Sequence, residues 1–60
     1  MTSFTVKIAC DNAAFREEAP EYEIARILER IKNKLEAGIT SGTAMDTNGN
    51  RVAEFKLRGR

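Results

Sequence analysis

Residues 46–51 read Asp-Thr-Asn-Gly-Asn-Arg, DTNGNR, and the way this stretch turns decides which side chains can share a core. Two readings compete. Asp46, Asn48 and Asn50 have the alternate spacing that opens a calcium loop, whereas Asn48-Gly49 has the composition of a hairpin tip. The calcium reading fails on its own chemistry. Such a loop needs Gly at its sixth position and a bidentate Glu at its twelfth; counted from Asp46, these are Arg51 and Leu57. Arg51 would also set a positive charge beside the ion. No metal or other cofactor is expected.

The hairpin reading leaves two registers. A two-residue turn at Asn48-Gly49 places Met45 opposite Val52 and Gly42 opposite Phe55, with Met45 on the face away from Phe55 and Leu57. A type I turn over Asp46-Thr47-Asn48-Gly49, closed by a glycine bulge, has the favoured Asp at its first position and Gly at its fourth. It places Asp46 opposite Asn50 and puts Ile39, Met45, Ala53, Phe55 and Leu57 on one face. Val52 then shares the other face with Ala44, Glu54 and Lys56. A one-residue slip exchanges the faces, and the second register keeps more apolar side chains together. It is the expected one, with Val52 left over as a candidate partner surface.

Outward from this hairpin, residues 4–10 (FTVKIAC) alternate. Phe4, Val6, Ile8 and Cys10 fall on one side, as in a half-buried strand. Cys10 reads as a small core hydrophobe. Asp11 and Asn12 end the strand, and Asn12–Phe15 can form one irregular helical turn that returns Phe15 to the core. Residues 16–19 (REEA) read as solvated linker. Pro20 suits a first helical position, and Glu21 and Glu23 favour the positive end of the helix dipole. Ile24, Ile27, Leu28, Ile31 and Leu35 follow amphipathic helical spacing, and Gly38 is the expected terminator, a C′ glycine. The helix is expected from about residue 20 to 37. Two strands follow; Gly42 in the first marks a bulge or a close backbone approach.

The order strand, helix, hairpin gives an α+β class: β-α-β-β, one amphipathic helix packed on a three-stranded sheet with a C-terminal hairpin, as a single domain over 1–60. The apolar last strand is expected near the sheet centre. A chain of this length buries only about 60% of its unfolded surface. It has one cysteine and no histidine, which excludes an internal disulfide and a Cys/His zinc site. Self-association into a homodimer is the expected supplement, since a three-stranded sheet also leaves two edges to protect.

Ten basic and nine acidic residues nearly cancel, and the apolar fraction of 42% is ordinary for a globular chain. Acidic residues Asp11, Glu17, Glu18, Glu21 and Glu23 crowd the first linker and helix start; Arg51, Lys56, Arg58 and Arg60 crowd the C-terminal end. No run is apolar enough to cross a bilayer and no signal-peptide core opens the chain. No membrane partner is expected, and a lone thiol suits a reducing cytoplasm.

Three stretches, CDNAAF at 10–15, EIARIL at 23–28 and DTNGNRVAEFKL at 46–57, together resemble a group of very short uncharacterised proteins encoded in bacteriophages and bacterial prophages. The likeness spans nearly the whole chain, with a departure at Ala53, where glycine is common in that group. It implies expression inside a bacterial host cell and an accessory role in the phage–host contest. It brings no established activity or cofactor.

Catalysis is not expected: the chain has no histidine or phosphate loop, and no serine in a nucleophile elbow. The first functional expectation is an interaction module, binding itself and a host or phage protein, or a small ligand, through an edge strand, the outer sheet face or the helix surface. Tyr22 and Val52 are its candidate surface residues. The alternative is nucleic-acid binding. Arg26, Arg30 and Lys34 repeat at four-residue spacing and form a basic ridge beside the helix stripe, to which Lys56 and Arg58 could add phosphate contacts. The ridge also reads as an ordinary solvated face. The near-neutral charge disfavours the alternative, and so do the aromatics: Phe4, Phe15 and Phe55 are expected in the core, which leaves only Tyr22 as a candidate for base stacking.

Overall fold

A computed structural model describes residues 1–17 and 19–59; the parts of the linker and basic-end readings that fall on Glu18 and Arg60 lie outside these described residues. The order is β1 (Ser3–Ile8), a single 3-10 turn (Ala13–Phe15), α1 (Pro20–Glu36), β2 (Ser41–Met45) and β3 (Arg51–Arg58). The sheet is antiparallel with order β1-β3-β2. The α+β fold, the hairpin and the central place of the last strand are as expected.

The helix boundaries follow from local chemistry. Pro20 opens α1 at a position whose N–H has no intrahelical acceptor. At the other end, Gly38 adopts φ +88°, which glycine reaches without the penalty of a side chain. The N–H of Gly38 then bonds the Leu35 carbonyl (2.9 Å) and that of Ile39 the Lys34 carbonyl (2.9 Å). This is a Schellman closure, which satisfies carbonyls the helix cannot. Ile27 and Ile31 are fully buried, and each such burial contributes about 1.5–3 kcal/mol.

The hairpin combines both registers. At the tip, the Gly49 N–H bonds the Asp46 carbonyl (3.1 Å) and the Asp46 N–H bonds the Asn50 carbonyl (2.9 Å), with Gly49 at φ +83°. This is the expected turn with Asp46 opposite Asn50, and Met45 pairs with Arg51 as that turn requires. One residue further in, the pairing jumps to Ala44 with Ala53 and continues as Gly42 with Phe55. That is the register of the alternative turn. A bulge makes the change: β3 spends Val52 as an extra residue, and the Val52 carbonyl accepts the Ala9 N–H of the other side (2.8 Å).

The expected faces are corrected accordingly. Ala44 lies in the core and Met45, 51% exposed, lies outside it. Val52 is 9% exposed and packs in the core cluster with Ala53 and Phe55, so it is not a surface residue. Ile39 precedes β2 and is exposed. Gly42 makes the close approach foreseen for it. A Cβ there would stand 3.4 Å from the tip of the Phe55 ring, so the ring covers the bare backbone. Cys10 is exposed rather than buried. β1 pairing ends at Ile8 with Ala53, and the chain turns away before Cys10 can use the inner face.

The core contains Ala14, Phe15, Ile27, Ile31, Ala44, Val52, Ala53 and Phe55, with Val6, Ile8 and Ile24 packed against it. Phe15 reaches it through the 3-10 turn, as its sequence suggested. The helix packs on that turn and on β2. Phe4 on β1 is 41% exposed, and Leu28 and Leu35 on the helix stripe are 45% and 37% exposed.

Candidate functional site

The hairpin tip is the centre of a polar cluster. Asp46 is buried. Its Oδ1 accepts the N–H groups of Asn48 and Asn50 (2.9 Å each), and its Oδ2 accepts Nδ2 of Asn12 (3.2 Å) and of Asn50 (3.3 Å). Burial alone would raise the Asp46 pKa. The bonds from Asn50, Asn12 and Asn48 outweigh it and hold the carboxyl below its ordinary value. Oxygens aimed at N–H donors are the reverse of a cation loop, where they would converge on the ion. Among the described residues no group of three or more acidic, Cys or His side chains is gathered for a metal.

Glu23 lies beside this tip, buried from the first turn of α1. Its Oε2 accepts the Thr47 N–H (2.9 Å), and its Oε1 pairs with Nη1 of Arg26 (2.9 Å). The three stretches 10–15, 23–28 and 46–57 thus meet here, through Asn12, Glu23 and Asp46. Their polar groups join the three segments and leave no unsatisfied buried side-chain atom among the described residues. The cluster is a structural joint. Sequence reading missed Glu23 as its clamp. The available signal was its position four residues before Ile27, which places an acid on the buried stripe.

The cations of the basic ridge are engaged within the chain. Arg30 donates from Nη1 to the Met45 carbonyl (2.6 Å) and, more weakly, to that of Asp46 (3.4 Å); Lys34 donates from Nζ to the Thr43 carbonyl. Within β2, even-numbered residues bond to β3, as the Thr40 carbonyl and Asp46 N–H show. The Thr43 and Met45 carbonyls therefore point off the sheet edge, and the two helix cations occupy them. Arg26, the third member, is paired with Glu23. Lys56 and Arg58 are on the outer sheet face, opposite Thr5 and Ser3. The five cations nominated for nucleic acid do not converge on one surface. Tyr22 is exposed on the helix.

The two sheet edges are thus unlike. In β1 the Ala9 N–H points to β3, so Thr5 and Lys7 share its direction. Phe4, Val6 and Ile8 turn their backbone N–H and C=O groups to the open side. Phe4 contacts Phe55 across the sheet, ring centroids 6.2 Å apart at 50°. Its remaining surface adjoins this open edge. On the outer sheet face, a shallow groove of about 300 Å³ runs beside Lys7, Thr43, Arg51 and Glu54.

No family model, curated protein or solved structure matches the chain.

Proposed function

We propose that the protein is a non-catalytic interaction module that works as a homodimer. The observation that carries this reading is apolar surface left on a chain with one uncapped sheet edge: Phe4 on β1 and Leu28 and Leu35 on α1 are exposed. A chain of this size gains most from burying such surface against a partner. The polar cluster supports the non-catalytic part. Its carboxylates are occupied by internal donors, as expected of groups that hold segments together. The setting proposed from the resemblance is the cytoplasm of a bacterium carrying a phage or prophage, with a host or phage protein as a further partner. Arg30 and Lys34 weigh against the nucleic-acid alternative, because their donors are directed at strand carbonyls. Sedimentation equilibrium of the whole chain tests the dimer. A two-chain mass at micromolar concentration is expected; a monomer well above that concentration overturns the reading.

A further inference from the structure

We infer that the partner is a second copy of this chain, added edge to edge through β1 about a two-fold axis at Val6. The inference rests on the dimer reading and assigns its interface. An antiparallel strand placed beside β1 must bond to Phe4, Val6 and Ile8, whose backbone groups face outward. With the axis at Val6, Phe4 of one copy opposes Ile8 of the other and Val6 opposes Val6. These are three bonded pairs, and each exchanges two bonds, about six in all.

Neighbouring registers do less well. An axis at Lys7 sets Lys7 directly against Lys7 on the outer face, where like charges repel. An axis at Thr5 takes Ile8 past the strand, opposite Thr2, which precedes β1. The Val6 axis instead places each Lys7 between its own cross-strand Glu54 and an uncharged Thr5 of the second copy. It also keeps Phe4, Val6 and Ile8 of both copies on the inner face, so the exposed Phe4 ring gains Ile8 as its cross-strand neighbour. The β2 edge is a poorer candidate, since Arg30 and Lys34 already occupy its outward carbonyls. The result is a continuous sheet of order β2-β3-β1-β1-β3-β2 with both helices on one face.

Thr5 and Lys7 report the register because both are exposed and leave the fold undisturbed when changed. In the proposed pairing they oppose each other across the interface as a non-bonded pair. Their Cα separation is then about 4.5 Å, within disulfide reach, whereas Thr5 to Thr5 and Lys7 to Lys7 become diagonals of roughly 7–8 Å, beyond it. The probe is the full chain carrying Cys10→Ser with either Thr5→Cys or Lys7→Cys, mildly oxidised alone and as a mixture, with sedimentation of the reduced samples alongside. A covalent dimer formed predominantly in the mixture is expected. A dimer by sedimentation in which Thr5→Cys or Lys7→Cys links to itself, or nothing links, overturns the Val6 pairing while leaving the dimer reading intact. A monomer by sedimentation overturns both.

Discussion

Glu23 in the helix and Thr47 at the hairpin tip, far apart in sequence, are joined by a hydrogen bond of 2.9 Å from the Thr47 N–H to Oε2. The bond fixes the tip against the first turns of α1 and sets the angle at which the hairpin meets the helix. Glu23→Ala leaves the Thr47 N–H and the Arg26 guanidinium without this acceptor. A loss of about 1–3 kcal/mol is expected for an unmet buried group, read as a lower urea midpoint at unchanged slope. Glu23→Gln keeps an acceptor oxygen and is expected to lose less. Equal stability of Glu23→Ala and the parent would remove Glu23 from the clamp.

Asp46 makes stability depend on pH. Its folded-state pKa lies below the ordinary value of 3.8. Its contribution is therefore complete above that value and is lost as pH falls through the folded pKa. Asp46→Asn cannot ionise and turns an NH2 group toward donors. The variant is expected to be less stable at pH 7, with the gap narrowing as pH drops below 3.8. Urea midpoints measured across that range check this; a gap independent of pH would show that the carboxylate's charge is not what matters.

Gly49 carries the turn through φ +83° with nothing within 4 Å of the place a Cβ would take. Gly49→Ala therefore reports backbone strain without a steric clash. The expected cost is about 1–2 kcal/mol, and Gly49→Asn should cost less because asparagine enters this region more readily. Thermal melts of the two variants, ranked against the parent, provide the comparison. Alanine equal to glycine would contradict the bulged turn.

Arg30 and Lys34 cover the outward carbonyls of β2, and removing both should expose a second pairing edge. Arg30→Ala with Lys34→Ala is expected to form species larger than the parent as concentration rises, visible by light scattering. The same particle size in variant and parent would mean that these side chains do not guard the edge.

The helix was legible because Ile24, Ile27 and Ile31 repeat at helical spacing between a proline and a glycine that act at opposite ends. Phe15 was legible because Asp11 and Asn12 break the strand just before it. The hairpin was legible only at its tip. Turn chemistry is local, and Asp46 and Gly49 announce it. The alternative register did place Met45 away from Phe55, but neither register carries a bulge at Val52, and the bond from the Ala9 N–H to the Val52 carbonyl comes from a segment distant in sequence, which leaves no mark within residues 41–58. The basic ridge was visible as a pattern, but its acceptors are β2 carbonyls, and backbone oxygens leave no mark in a sequence. Glu23 was read for its charge at a helix start; its burial depended on where the hairpin came to rest.

The place of β3 in the middle of the sheet has a consequence for how the chain reaches its fold. β1 is synthesised first, yet its pairing partner among the described strands is the last one made. Until residues 51–58 emerge, β1 has no strand of its own chain to pair with. Closing the sheet must also draw together segments separated by most of the chain, which slows folding relative to a helix that forms from neighbours. During synthesis, α1 can form early while β1 waits as an unpaired apolar strand. The nascent molecule is then most exposed to wrong pairing at the segment proposed to join two finished copies.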